Sequence, residues 1–327
     1  MPNDNSWSTL DYLSYKWRGD LVIISQKSNQ DEWVSALKKL APEINIQIYP
    51  DDKKREDITF ALVWQPPLGV FKHYPNLMCI ASTGAGVDHI LKDPDIPDDV
   101  LVTKIVNEKL TNDMIGYLLA AVMNYTRNFS EYSSLKKEGN WQPKPYAARS
   151  ELKIGILGMG ELGRAAAINF NNLGFNVHGW ARSDKTIKGI KVFIGPGSFV
   201  KFLNESSILI CLLPLTNETH NILNATTFKH LPAGAYIINV ARGEHLVVED
   251  LIEALDSGQL SGACLDVFRE EPLAKDHPFW KHEKILITPH IASITNIEHV
   301  APQITDNYLR LKNGQPLLNT ISRSAGY

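Results

Sequence analysis

Short apolar runs rich in β-branched residues recur along the chain, and most of the stretches between them carry apolar positions three and four residues apart. The first run, LVIIS (21–25), is followed by DEWVSALKKLAPE, where Trp33, Leu37 and Leu40 fall at helical spacing. INIQIY, FALVW, LMCIAS and VLVTKIV continue the alternation to about residue 106, with QPP and DPDIPDD as loops. Such a succession predicts a parallel sheet covered by helices. From Thr111 one long helical pattern follows, TNDMIGYLLAAVMNYTRNFSEYSSLKKEGNWQP, with Thr111 or Asn112 as its cap and Gly139, Asn140, Pro143 and Pro145 at its end. A second set of strands comes next: KIGILG, NVHGWA, KVFIG, SILICLLP, AYIINVA, SGACLDVF and ILITPH. Helical segments between most of them complete a doubly wound unit. The tail from about residue 292 to 327 is helical around HVAPQITDNYLRLKNG and is expected to pack back on the first unit.

A chain of 327 residues is long for one core, which agrees with two units. A net charge of −3 gives no long-range field to gather nucleic acid or an anionic membrane, so a small-molecule partner is expected. Cys79, Cys211 and Cys264 are scattered among apolar neighbours; they read as buried thiols of a reducing, cytoplasmic compartment, and no metal site is expected. Residues 1–20 lack a continuous apolar run and carry Asp4, Asp11, Lys16 and Arg18, so they read as an extension of unassigned role rather than a secretory leader.

The first candidate chemistry is KIGILGMGELGRAAA, where Gly158, Gly160 and Gly163 form GxGxxG between an apolar strand and a helix. Gly158 permits the tight turn, Gly160 admits the pyrophosphate to the backbone, and Gly163 lets helix and strand pack closely. The helix N-terminus turns its N–H groups to the anion. A dinucleotide site of this type ordinarily has an acid about 20 residues on, bonded to the adenosine ribose. Here NVHGW is followed by Ala181, Arg182 and Ser183, with Lys185 beyond. A guanidinium and a hydroxyl bind a 2′-phosphate through charge-assisted bonds, so NADPH is expected ahead of NADH, although Asp184 opposes that preference.

Three polar residues stand just past strands of the second unit: Arg242 after AYIINVA, Glu271 after GACLDVF, and His290 after ILIT. Ligands of open α/β sheets bind at that edge. Reduction of a 2-oxo acid needs a cation for the carboxylate and carbonyl, which a guanidinium supplies as a planar fork. It also needs a proton donor for the nascent alkoxide, a task for imidazole held by a carboxylate. Arg242, His290 and Glu271 are the candidates for those roles. Asp266 is placed either to meet the nicotinamide carboxamide or to cap the backbone.

These residues, with ALVWQPP, GAGVDHIL, WQPKP, IGILGMGELG, LLPLTNET, ITPHIASIT and the long run LPAGAYIINVARGEHLVVEDLIEALDSGQLSGACLDVFREEPL, carry a resemblance that runs from residue 21 to the C-terminus. The chain resembles the D-isomer-specific 2-hydroxyacid dehydrogenases, in particular those that reduce glyoxylate to glycolate and hydroxypyruvate to D-glycerate. The resemblance implies two Rossmann-like doubly wound parallel-sheet domains with the active site in the cleft between them. The substrate-binding domain would be discontinuous, 21–109 with 292–327, and the dinucleotide-binding domain would span 110–291 in a homodimer. The backbone amides of Ala85 and Gly86 would hold the substrate carboxylate together with Arg242, and Trp64 would line the pocket; without the resemblance, Trp64 reads as a core aromatic. Leu213, Pro214 and Leu215 would lie under the nicotinamide ribose, and Met159, Glu161, Leu162 and Ala241 complete the cofactor set. Where many members of the family have Glu-Tyr in the long helix, this chain has Gly116-Tyr117. Two other functions share these motifs: a dehydrogenase for a bulkier 2-oxo acid, and a non-catalytic nucleotide sensor that recruits partner proteins.

Overall fold

The computed structural model describes residues 19–26, 29–323 and 326, and all but Gly19 and Asp20 of the N-terminal extension lies outside them. The chain divides into two compact units, residues 1–107 with 295–327 and residues 108–294. Each is an α/β domain with one parallel sheet.

In the first unit β1 (Asp20–Ser25), β2 (Asn45–Ile48), β3 (Ile58–Trp64), β4 (Cys79–Ser82) and β5 (Leu101–Thr103) lie in the order β2-β1-β3-β4-β5. This is a flavodoxin-like doubly wound order. All of β3 except Trp64 is buried, as a strand covered on both faces requires. One face packs Val22, Ile24, Ala61 and Val63 against Phe71, Tyr74 and Ile90, the last on the short helix α2 (Asp88–Leu91). On the other face α1 (Gln30–Leu40) packs against the C-terminal helix α9 (Ile297–Lys312), and Tyr308 of α9 meets Phe60 edge-on and donates its hydroxyl to the Gly19 carbonyl at 2.6 Å. Leu40 is exposed, contrary to its sequence spacing. The stripe set by Trp33 and Leu37 continues at Ala41, four residues on rather than three.

The second unit opens on α3 (Glu108–Thr126) and α4 (Phe129–Lys137), where one helix capped near Thr111 was expected. Leu110, Met114 and Leu118 form a buried stripe four residues apart, and burying Leu110 draws the helix a turn upstream of the polar cap. The break falls at Asn128, in the left-handed region at φ 58°, a conformation that asparagine tolerates. Beyond it α4 buries no residue, so no apolar stripe holds the two segments in line.

The sheet runs β12-β11-β10-β9-β6-β7-β8. Its strands are β6 (Lys153–Leu157), β7 (Asn176–Ala181), β8 (Lys191–Ile194), β9 (Ile208–Cys211), β10 (Ala235–Asn239), β11 (Leu260–Leu265) and β12 (Ile285–Ile287). One face is covered by α3 and by α5 (Glu161–Asn172), through Leu118, Val122, Ala166 and Phe170. The other is covered by α6 (Phe199–Asn204), α7 (Ala225–His230) and α8 (Val248–Asp256), through Phe202, Phe228, Leu251 and Leu255. Every adjacent pair is parallel, so all seven strands end on one edge. β6 lies between β7 and β9, where the strand order reverses and crevices for ligands open.

Candidate active site

The loop after β6 has the strain and close contacts that its glycines predict. Gly158 stands at φ 96°, and a Cβ there would come within 2.7 Å of the Leu212 carbonyl oxygen. A Cβ at Gly163 would come within 1.8 Å of the Gly158 carbonyl oxygen, so any side chain there drives α5 off the loop. At Gly160 a Cβ meets no protein atom. Packing therefore explains two of the glycines and leaves the third for close approach from outside the fold, which is what a pyrophosphate on a helix N-terminus asks for.

Beside this loop lies a cavity of about 320 Å³, lined by Met159, Gly160, Glu161, Arg164, Lys185, Thr186 and Ile187. It brings the phosphate loop and Lys185 together. It also includes Arg164, which sequence reasoning missed; the available signal was its position one residue past Gly163, on the same helical face as Glu161. Leu162 is half-buried at the start of α5. Ala181, in the place of the ribose acid, ends β7 and is buried, while Arg182 and Ser183 are exposed and do not line the cavity. Glu218 is held below the ordinary carboxylate range, first by the Thr216 hydroxyl, with the Arg182 charge contributing.

The turn after β10 is tied from both sides. Asn239 accepts the Ala241 amide at 3.2 Å and donates to the Arg242 carbonyl at 2.9 Å, and the Arg242 guanidinium donates to the Ala241 carbonyl at 2.6 Å. A Cβ at Gly243 would strike the backbone of Phe268 and Arg269, so this turn lies directly against the segment leading to Glu271. The Arg242 amide donates to Nδ1 of buried His245, which leaves Nε2–H to donate to the Pro214 carbonyl at 3.3 Å. That imidazole links the Arg242 turn to Leu213, Pro214 and Leu215 after β9.

His290 and Glu271 meet through Nδ1 and Oε2 at 2.7 Å, and the other carboxylate oxygen accepts the Phe268 amide at 2.9 Å. Burial pushes the Glu271 carboxyl up. The His290 bond, the Phe268 amide and the charges of His290 and Arg242 outweigh it, so Glu271 is held below its ordinary range. The three candidates are thus brought into one electrostatic group at the strand edge. Asp266 is fully buried, and its carboxylate accepts from the amides of Ile291 and Ala292, each at 2.8 Å, and from the Thr288 hydroxyl at 2.6 Å. Of the two readings of Asp266, these bonds describe the structural one.

Within the first unit, Trp64 at the end of β3 is half-buried and meets the His89 ring at a tilt of 51° with centroids 4.7 Å apart. Its ring lies over Gly84, where a Cβ would come within 2.9 Å. Ser82 Oγ donates to the Gly86 carbonyl and accepts the Gly84 amide, which shapes the turn after β4. Ala85 is exposed on that turn and Gly86 half-buried. Among the described residues no cluster of His, Cys, Asp and Glu is placed to hold a metal ion. Cys79, Cys211 and Cys264 are buried free thiols, and burial pushes the first two up to about 12 and the third to about 11.

Similarity to known proteins extends over nearly the whole chain. The NAD binding domain of the D-isomer specific 2-hydroxyacid dehydrogenases matches residues 119–292. A glyoxylate/hydroxypyruvate reductase A from Serratia proteamaculans is 40% identical over 305 residues, covering 91% of this chain and 97% of that protein. One from Salmonella newport is 35% identical over 314 residues, covering 94% and 100%. A D-isomer specific 2-hydroxyacid dehydrogenase from Xanthobacter autotrophicus, solved with NADPH and MES, superposes with a TM-score of 0.90 at 38% identity, covering 94% of this chain and 99% of that one. An NADPH-dependent glyoxylate/hydroxypyruvate reductase from Sinorhizobium meliloti, solved with NADP and sulfate, gives 0.87 at 31%, covering 94% and 100%.

Proposed function

The chain belongs to the D-isomer-specific 2-hydroxyacid dehydrogenase family and is an NAD(P)-dependent oxidoreductase, and from that premise we propose that it reduces glyoxylate to glycolate and hydroxypyruvate to D-glycerate with NADPH. The observation that carries the reading is the His290–Glu271 pair at 2.7 Å under the charge of Arg242. The names of the Serratia and Salmonella relatives and the nucleotides in the Xanthobacter and Sinorhizobium structures support it.

The second unit is the dinucleotide-binding domain in this proposal and the first the substrate-binding domain. The 158–163 loop and the start of α5 would hold the pyrophosphate. Arg182, Ser183 and Lys185, with Arg164 added, would hold the 2′-phosphate. Leu213, Pro214, Leu215 and Ala241 would flank the nicotinamide end, with Asp266 behind them. Bound there, NADPH supplies the hydride that reduces the 2-oxo carbon.

The Arg242 guanidinium engages the substrate carboxylate and draws electron density toward the carbonyl oxygen. The first unit's part in this proposal is to meet the substrate through the amides of Ala85 and Gly86 and the side chain of Trp64. With Nδ1 of His290 committed to Glu271, Nε2 is the nitrogen that delivers a proton to the alkoxide oxygen. Glu271 fixes the ring and balances its charge while the proton is on it.

A homodimer is part of the same proposal, since Phe129, Trp141 and Tyr146 of the second unit are exposed, Trp141 to 98%, and oligomers cover apolar surface of this kind. The three buried thiols suit a reducing compartment, in keeping with a cytoplasmic enzyme. Purified protein mixed with NADPH and glyoxylate or hydroxypyruvate tests the function: the reduced-nicotinamide absorbance falls as product accumulates. An unchanging absorbance with both acids refutes the proposal.

A further inference from the structure

The second unit contains a polar chain, buried at Cys264 and Asp266 and half-buried at Tyr117 and Thr288, that ends on the His290 turn. His290 stands in the left-handed region at φ 53°, which a residue with a Cβ keeps only where its surroundings over-determine it. Two backbone bonds from its amide, to Asp266 at 2.8 Å and Thr288 at 3.1 Å, hold the turn, and the Asp266 carboxylate gathers the amides of Ile291 and Ala292 from its other side. The Thr288 hydroxyl has one hydrogen, and Asp266 takes it at 2.6 Å. Tyr117 lies 2.6 Å from the same hydroxyl oxygen and must therefore be its donor. The Tyr117 oxygen is left to accept from the Cys264 thiol at 3.3 Å. The carboxylate thus fixes the direction of every link, from Cys264 through Tyr117 and Thr288 to Asp266. Burial raises both the Tyr117 hydroxyl and the Cys264 thiol, so both groups keep the protons that the chain requires.

We infer that Tyr117 is a positioning residue for His290, its hydroxyl tying α3 through Thr288 and Asp266 to the turn that aims the imidazole at Glu271. The inference rests on the proposed function, in which His290 is the proton donor. Without the Tyr117 hydroxyl, a half-buried lone pair on Thr288 loses its donor and the Thr288–Asp266 link slackens. The left-handed turn then relaxes, and the 2.7 Å bond to Glu271 loosens. Glu271 is faced by His290 and Arg242, which together with the Phe268 amide hold its carboxyl down, so a looser imidazole lets that carboxyl rise toward its ordinary value.

The test compares wild type, Tyr117→Phe, Thr288→Val, the double variant and His290→Ala, with NADPH and glyoxylate. Tyr117→Phe is expected to lower kcat about tenfold, the size of a coupling carried through a packed network. The Kd for NADPH should stay within about twofold on the same reasoning, because the chain touches none of the phosphate-loop residues. The acid limb of its kcat/KM profile should move to higher pH. Thr288→Val should reproduce these effects, and the double variant should be no worse than either single one. Should Tyr117→Phe not fold, Thr288→Val, which breaks the chain one link nearer Asp266, carries the test alone. Wild-type kcat and an unmoved acid limb in the variants, with or without a lower Tm, overturn the inference. A wild-type protein without turnover, or a His290→Ala variant as active as wild type, overturns the proposed function instead.

Discussion

The imidazole of His290 has one nitrogen committed to Glu271 and one open, and that asymmetry divides orientation from proton delivery. His290→Ala is expected to lower kcat by about a hundredfold or more, in the range measured for general acids, with NADPH binding kept; stopped-flow turnover and fluorescence titration check the two halves. Arg242→Ala should raise KM and lower kcat together, because the guanidinium serves both the carboxylate and the polarised carbonyl. The pH profile follows from Glu271. Its carboxyl is depressed in the folded protein, so the ionised, His290-bonded form persists below the ordinary carboxylate pKa, and kcat/KM should be lost only as pH falls through that lowered value. In the sequence Arg242, Glu271 and His290 stand out as candidates because each follows an apolar strand, and the structure brings them together. The ties among them were not: Asn239, His245 and Thr288 act through loop geometry, which leaves no periodic trace. Arg182→Ala is expected to raise KM for NADPH about tenfold while barely changing that for NADH, as loss of a charge-assisted phosphate bond predicts; initial-rate kinetics with each nucleotide measure it.

The long helix shows where an element can be read and where it cannot. Its apolar stripe announced the helix, but Thr111 or Asn112 as the cap and one unbroken segment through Gly139 were both wrong. Burial of Leu110 outweighed a local capping preference, and Asn128 turned the chain once no stripe remained to bury. Gly116 is exposed in the middle of α3, and a Cβ there meets nothing within 4 Å. Gly116→Ala should therefore stabilise the protein by about 0.5–1 kcal/mol, read as a higher denaturant midpoint at unchanged slope. The strands were easier to read. Sheets covered on both faces require uninterrupted apolar runs, and β3, β9 and β10 are such runs in the sequence and buried in the structure.

For the molecule as a whole, the two parallel sheets were foreseen from the repeated strand–helix alternation, whereas their strand orders needed the structure, since alternation does not specify which strands become neighbours. One consequence for the stability of the whole chain follows from His178 in β7. It is 3% exposed, its Nε2 lies 2.9 Å from Ser206 Oγ, and Phe193 and Phe202 meet its ring edge-on. Burial lowers its pKa from 6.5 to about 4. Between those values the unfolded chain binds a proton that the folded one refuses, so stability is full above pH 6.5 and falls toward pH 4. The loss from this group is about 3 kcal/mol, and His178→Gln should flatten that part of a urea-stability profile against pH. Cofactor choice and the catalytic pair meet in one assay: the rate at which wild type and His290→Ala consume NADPH in the presence of glyoxylate, with NADH run in parallel. Rapid NADPH consumption by wild type, slower consumption with NADH and a nearly silent variant are predicted; equal rates for the two proteins, or none for either, rule out His290 as the proton donor of an NADPH-dependent reductase.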